Sequence, residues 1–229
     1  MLGSGAVLNV YLNEKKSSQF NFLLGLQPGT GERKLQLTGD LDLRLANMFA
    51  RGETILLKWQ QLQPSSPRLN VGYARPYVMG SAFGIDLKFD LFRKDSSFLQ
   101  VGAKAGTTFA IDAKQKGSVF AQWQSNRLLP GAIDTSAVIA QRRLPSDADM
   151  SITTWGMNYT YDNLDHPVNP RKGADIDFSG QVGFKKITAS DDILAIKNST
   201  LDPRKLYDSL ELKDQQFKFQ ASASYYFPV

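Results

Sequence analysis

The chain has a single histidine, His166, between Asp165 and Pro167 in "NLDHPVNPRKG" (163–173), and no cysteine. A metal site needs several clustered ligands, and a histidine-based triad needs a nucleophile held against the imidazole. One histidine in a proline-kinked polar turn meets neither demand, so His166 reads as a solvated turn residue. Two carboxylate pairs, Asp40/Asp42 and Asp175/Asp177, are spaced two residues apart, which sets both members on one side of a strand. Paired carboxylates can do acid–base work. Here each pair lies in a run whose alternate residues are apolar, so they read as the wet side of a sheet. Glycines such as Gly25, Gly39, Gly72, Gly102, Gly106, Gly156, Gly180 and Gly183 are scattered along the same runs. That placement marks bends or close approaches and not a phosphate-binding loop. No catalytic group, cofactor or metal is expected.

The positioning elements are therefore the main signal. Ala174, Ile176, Phe178, Gly180, Val182 and Phe184 alternate with Asp175, Asp177, Ser179, Gln181 and Lys185. Period two means one apolar and one polar face. The same pattern runs through Phe20, Phe22, Leu24 and Leu26, broken only by Leu23, and through Leu35, Leu37, Leu41, Leu43 and Leu45. It recurs in Phe83–Leu91, Leu99–Ala105 and Phe217–Phe227, and more weakly in Thr54–Leu62, Arg68–Tyr77, Ser118–Ser125 and Thr153–Tyr161. Turn residues separate these runs at Pro28–Glu32, Pro64–Pro67, Met79–Ala82 and Lys94–Ser97, and long polar loops at about 128–150 and 187–214. The count is about ten strands, mostly about 9 to 12 residues long.

Length selects the environment. Soluble strands usually run about 5 or 6 residues, whereas a tilted strand crossing a bilayer needs about 9 to 11. Consecutive long alternating strands are the signature of a transmembrane β-barrel. An apolar content of 42% with mean hydropathy of −0.29 fits a barrel whose second face is wet. The net charge of +5 is spread over alternating positions and forms no basic stripe with interleaved aromatics, so no nucleic-acid partner is expected. On this reading Leu35, Leu37, Leu41, Leu43, Ile85, Leu87, Phe89, Ile176, Phe178, Val182, Phe184, Phe217 and Phe219 face lipid. Trp59, Tyr73, Tyr77, Tyr159, Tyr161, Tyr225 and Tyr226 are candidates for an interfacial girdle. Met1–Gly5 lacks the charged and apolar regions of a signal peptide, so a trimmed chain or an internal piece of a longer one is expected.

Four stretches resemble the outer-membrane β-barrel assembly family, the BamA and TamA type proteins or bacterial surface antigen family, in a Bacteroidetes-like style. "VLNVYLNEKKSSQFNFLLGLQ" (7–27) looks like the last strand of a periplasmic domain running into barrel strand one. "NMFARGETILLKWQQ" (47–61) is similar to the turn and third strand, and "VGYARPYVMGSAFGIDLKF" (71–89) to the close of strand four. "YDNLDHPVNPRKGADIDFSGQV" (161–182) resembles the turn into strand nine. The resemblance implies residues 1–16 as the end of a periplasmic domain and 17–229 as about ten strands of a sixteen-stranded, antiparallel, up-and-down transmembrane barrel. A fragment is expected, because nothing after "FQASASYYFPV" matches the closing strands.

The family's function implies a non-enzymatic protein of the Gram-negative outer membrane that inserts other β-barrel proteins. Its partners would be the bilayer, unfolded outer-membrane clients and accessory periplasmic or lipoprotein subunits. The pairing edge carried over is the backbone of strand one: Ser18, Gln19, Phe20, Asn21, Phe22, Leu23, Leu24, Gly25, Leu26 and Gln27. An unpaired edge offers N–H and C=O groups to an incoming strand. Two other readings stay open. A self-contained ten-stranded pore or anchor requires strand one to pair with strand ten. A soluble sandwich requires two packed sheets.

Overall fold

Ten segments with period-two alternation form ten strands, and in this computed structural model all ten belong to one antiparallel sheet. The described residues are 11, 17–28, 35–63, 65–141, 149–196, 202–208 and 212–227. The expected periplasmic segment 1–16 lies outside them, Tyr11 excepted. The strands are β1 (Gln19–Pro28), β2 (Leu35–Ala46), β3 (Thr54–Gln61), β4 (Arg68–Arg75), β5 (Phe83–Lys94), β6 (Phe98–Ala110), β7 (Gln115–Leu128), β8 (Asp149–Asp162), β9 (Gly173–Thr188) and β10 (Lys213–Tyr226). Each pairs with its sequence neighbours in the order β1 to β10. One sheet excludes the two-sheet sandwich. β1 and β10 do not pair, so the ten strands do not form the closed small barrel.

The register keeps the two faces separate across the whole sheet. Phe22 stands opposite Leu41, Leu41 opposite Trp59, Trp59 opposite Leu69, and Leu69 opposite Leu91. At the far side Tyr159 meets Phe178, and Phe178 meets Ala221. The other parity lines up Asp42, Lys58, Asn70 and Asp90 in the same way. A slip by one residue anywhere would exchange the faces. Leu23, which breaks the alternation of β1, lies on the polar face opposite Asp40.

β7 and β8 are 14 residues each, longer than the alternation suggests. Their pattern is blurred because Phe120 sits on the polar face, opposite Gly156, while Ser125 and Thr153 sit on the apolar one. The ladder, made by backbone groups, continues regardless. A Cβ on Gly156 would lie 2.4 Å from the Phe120 ring, so this glycine is the floor on which the ring rests.

Both long loops leave the same end of the sheet and carry short helices that period two could not predict: α1 (Thr135–Gln141) and α2 (Asp191–Leu194). Asp134 caps α1 by accepting from the Ala137 N–H at 3.0 Å. Ile133, Val138, Ile193 and Tyr207 form a small core shared by the two loops. The Gly131 N–H donates to Asp192 across them at 3.1 Å, and the Ser190 N–H donates to the Tyr207 hydroxyl at 3.1 Å.

The opposite end is closed by tight turns. Between β2 and β3, Asn47, Ala50 and Gly52 all take left-handed φ. Glu53, 1% exposed, folds back to accept hydrogen bonds from the Phe49 and Arg51 N–H groups. The Phe49 bond above all holds its carboxyl below the usual carboxylate range, with the Arg51 bond and the Arg75 charge helping. Between β8 and β9, Gly173 has φ +121°, and a Cβ there would lie 2.0 Å from the Asn163 carbonyl oxygen.

Two expected outcomes follow. Gly173→Ala loses about 2 kcal/mol or more through backbone strain and collision, read as a lower unfolding midpoint of the detergent-folded protein. Glu53, with a depressed folded pKa, stabilises the fold above its unfolded pKa and loses that contribution as pH falls through the folded pKa. Thermal unfolding between about pH 6 and pH 3 should therefore show a steeper acid loss in the wild type than in Glu53→Gln, which starts lower. Parallel profiles would remove Glu53 from the account.

Candidate functional site

β1 is built from a four-member apolar row, Phe20, Phe22, Leu24 and Leu26, that continues the apolar face of β2. The Phe20 and Phe22 rings stack with centroids 6.3 Å apart. Ser18 precedes the strand, and its hydroxyl accepts from the Ala46 N–H at 3.2 Å, extending the β1–β2 join by one side-chain contact. Ten paired positions from Gln19/Arg44 to Pro28/Leu35 fix the register. Gly39 of β2 lets β1 come close: a Cβ there would lie 3.0 Å from the Leu23 carbonyl and 2.9 Å from the Trp59 ring.

Gln19 through Gln27 therefore have a neighbour on one side only. In an antiparallel ladder about half of a strand's backbone groups turn toward each neighbour, so about half of those on β1 point away from β2 into an unpaired edge. Phe20, Leu23 and Leu26 are 64%, 65% and 68% exposed, far more than Leu41 or Leu43 inside the sheet. β10 is the second unpaired edge, exposed along all fourteen residues. The two edges differ in bulk. β1 offers two phenylalanines and two leucines on its apolar side, whereas β10 carries Phe217 and Phe219, then the small Ala221 and Ala223, and closes on Tyr225.

The residues expected to face lipid all share one face. Leu37, Ile85, Leu87, Ile176, Phe184, Phe217 and Phe219 are exposed on it, while Leu41, Leu43 and Val182 are half-buried between neighbours. Leu35 lies in line with them at the end of β2, and its side chain is outside the described residues. Of the girdle candidates, Tyr73, Tyr159, Tyr161 and Tyr225 stand on this face at the tight-turn end. Tyr226 does not: it falls on the polar face opposite Gly173. Tyr77 lies in the turn after β4 with φ 52°. Trp59 sits toward the other end.

The carboxylate pairs are split among neighbours on the polar face. Asp40 accepts from Gln60 at 2.6 Å, and Asp42 pairs with Lys58 at 3.8 Å. Asp177 accepts from the Thr160 hydroxyl at 2.8 Å, and Asp175 stands between Asp162 and Ser224. Asp40, Asp42 and Asp177 each serve an adjacent strand. The working carboxylate of the histidine turn is Asp165. It accepts from the backbone N–H groups of Arg171, Lys172 and His166 at 2.9, 3.1 and 3.0 Å, which holds its pKa down, with Arg171 contributing most. His166 thus enters the turn through its backbone. Among the described residues no cluster of potential ligands could hold a metal ion.

Two features escape period-two reasoning. Lys104 places its ammonium 3.8 Å from the centroid of the Phe120 ring, a cation–π contact on the polar face. The shared loop core described above is the other, and Asp134 before "TSAVIAQ" was its legible capping signal.

No curated protein sequence matches the chain. Among solved structures, the crystal structure of BamA from Haemophilus ducreyi lacking POTRA domains 1-3 aligns at 15% identity with a TM-score of 0.49. The alignment covers 76% of this chain and 36% of that one, so the chain spans about a third of the length of the solved structure. The model of the Omp85 superfamily domain matches residues 47–229, from the Glu53 turn through β10, leaving β1 and β2 outside the matched range. With most of its length under that match, the chain belongs to the Omp85 superfamily, whose barrels lie in the outer membrane.

Proposed function

We propose that this chain is part of an outer-membrane insertase whose first strand templates incoming β-barrel proteins. The observation that carries the reading is the β1 edge: a strand in fixed register with β2, continuous with the apolar face, and unpaired on its other side. In hydrocarbon each unsatisfied backbone group costs several kcal/mol, so an edge of this kind is a strong acceptor for another strand. Pairing is through the backbone from Ser18 to Gln27, and the side chains set register and face. The apolar row contacts lipid, and the clients are unfolded outer-membrane proteins delivered with periplasmic or lipoprotein subunits. The chemistry is non-covalent, in keeping with a family whose members are generally non-enzymatic.

These 229 residues hold no cysteine, so a thiol introduced here is the single one in this part of the protein. Single cysteines at Gln19, Asn21 and Leu23 of the full-length protein are combined with single cysteines along a client's last strand. Disulfides should form in one antiparallel register with a two-residue repeat. Disulfide-locking a non-client strand to this edge should slow client assembly about tenfold or more, equivalent to roughly 1.4 kcal/mol. Clients that assemble at the unlocked rate, or cross-link without a register, would rule out templating at β1.

A further inference from the structure

The apolar parity changes character where it reaches the long loops. One cross-strand row runs from Leu69 through Leu91 and Val101 to Ser125 and Ser151. The row beside it passes from Phe89 through Ala103 to Trp123 and Thr153. Hydroxyls on a lipid-facing parity are costly unless something polar meets them. Here they open into a cavity of about 490 Å³. Arg127 and Asp149 stand one step further along the same two strands. Ser190, Asp191 and Asp192 line the cavity from the start of the β9–β10 loop.

Two features mark the cavity as built for a ligand. Ser125 is 9% exposed and Ser190 6%, and among the described residues neither hydroxyl has a hydrogen-bond partner. Buried hydroxyls left this way are costly, and a bound molecule with polar groups satisfies them. The second feature is charge of both signs that is not paired off. Arg127 lines the cavity with three carboxylates, yet the ion pairs among the described residues are Lys58–Asp42 and Lys88–Asp86, both on the polar face. Asp149 and Asp192 each give one oxygen to a backbone N–H, that of Leu128 at 2.6 Å and that of Gly131 at 3.1 Å. Their second oxygens stay open. The cavity therefore suits an occupant that itself carries both charges.

We propose that Ser125, Arg127, Asp149, Ser190, Asp191 and Asp192 bind the phosphoethanolamine headgroup of a membrane phospholipid. Its phosphate faces the Arg127 fork, which grips it through paired N–H donors, and accepts from the two serine hydroxyls. Its ammonium faces the carboxylates, whose excess over the single guanidinium favours a cationic end. Trp123, 43% exposed on the side of the apolar belt, is where the acyl chains leave, since an indole tolerates both headgroup and hydrocarbon. A purely anionic headgroup would meet three carboxylates, and a quaternary ammonium has no N–H to donate to them. The inference goes beyond the insertase reading and rests on the membrane-spanning sheet alone, so a failure of β1 templating leaves it standing.

The test uses the full-length protein, folded in detergent and stripped of lipid, with folding confirmed by heat-dependent migration. Phosphatidylethanolamine, phosphatidylcholine and phosphatidylglycerol with identical acyl chains are titrated against it, and bound lipid is counted by native mass spectrometry. The wild type should hold phosphatidylethanolamine about tenfold more tightly than either of the others. Asp191→Asn/Asp192→Asn, which keeps an acceptor for the Gly131 N–H, should remove the preference over phosphatidylglycerol. Arg127→Gln should weaken phosphatidylethanolamine about fivefold or more. Ser151→Leu, which fills the cavity from a lipid-facing position, should weaken it as much. Equal retention of the three lipids by the wild type would overturn the proposal and leave only general lipid adhesion. So would an undiminished preference in the folded Asp191→Asn/Asp192→Asn and Arg127→Gln variants.

Discussion

In hydrocarbon there is no water to satisfy a backbone amide, and the rest of this structure follows from that. Nine consecutive antiparallel pairings dispose of the N–H and C=O groups of β2 through β9. The strands are long because the hydrocarbon layer is thick, reaching 16 residues in β9. What the pairings do not dispose of is the outer edge of β1 and that of β10. In a soluble sheet such edges are a hazard, kept short or charged. Here β1 is ten residues long with no charged side chain, so it carries neither of those protections.

A second division of labour runs across the sheet. The apolar parity deals with the environment and the polar parity with neighbouring strands, through contacts such as Gln60–Asp40, Lys58–Asp42 and Thr160–Asp177. One exception on the polar side is aromatic: Phe120 lies against Gly156 and near the Lys104 ammonium. A ring laid against a glycine covers backbone that the missing side chain leaves bare, and the cation over the ring keeps the site compatible with a wet interior.

How much of this was legible depended on which atoms did the work. Alternation is a side-chain property with period two, so β5 and β9, where apolar and polar residues take turns almost without error, could be read directly. β7 and β8 were read short because Phe120, Ser125 and Thr153 blur the alternation while the ladder runs on beneath. The carboxylate pairs could be placed on a strand face from spacing alone. Their partners could not, because Lys58 and Thr160 are brought opposite by register, which is a long-range property. Glu53 and Asp165 look like ordinary turn acids in the sequence. Only the left-handed residues at Asn47, Ala50, Gly52 and Asn169 curl the N–H groups inward to meet them. The loop core was hidden for a similar reason: Ile193 and Val138 are 55 residues apart and meet only because both loops leave one end of the sheet.

That shared end also explains why the sheet is unlike itself at its two margins. At the tight-turn end, Glu53 and Asp165 each gather two or three backbone N–H groups, fixing the strand ends beside the tyrosines of the apolar face. At the long-loop end the strands finish in loops that pack on each other, and hydroxyls, carboxylates and a guanidinium around one cavity replace the tyrosines. A uniform sheet would have no preferred way up in a membrane. Aromatic rings that tolerate a headgroup layer at one margin, and charges of both signs at the other, give this one a direction. The β1 edge inherits it, because its register with β2 fixes which of its ends lies beside the tight turns. A strand arriving at that edge antiparallel would then have its own direction decided before any of its side chains had made a contact.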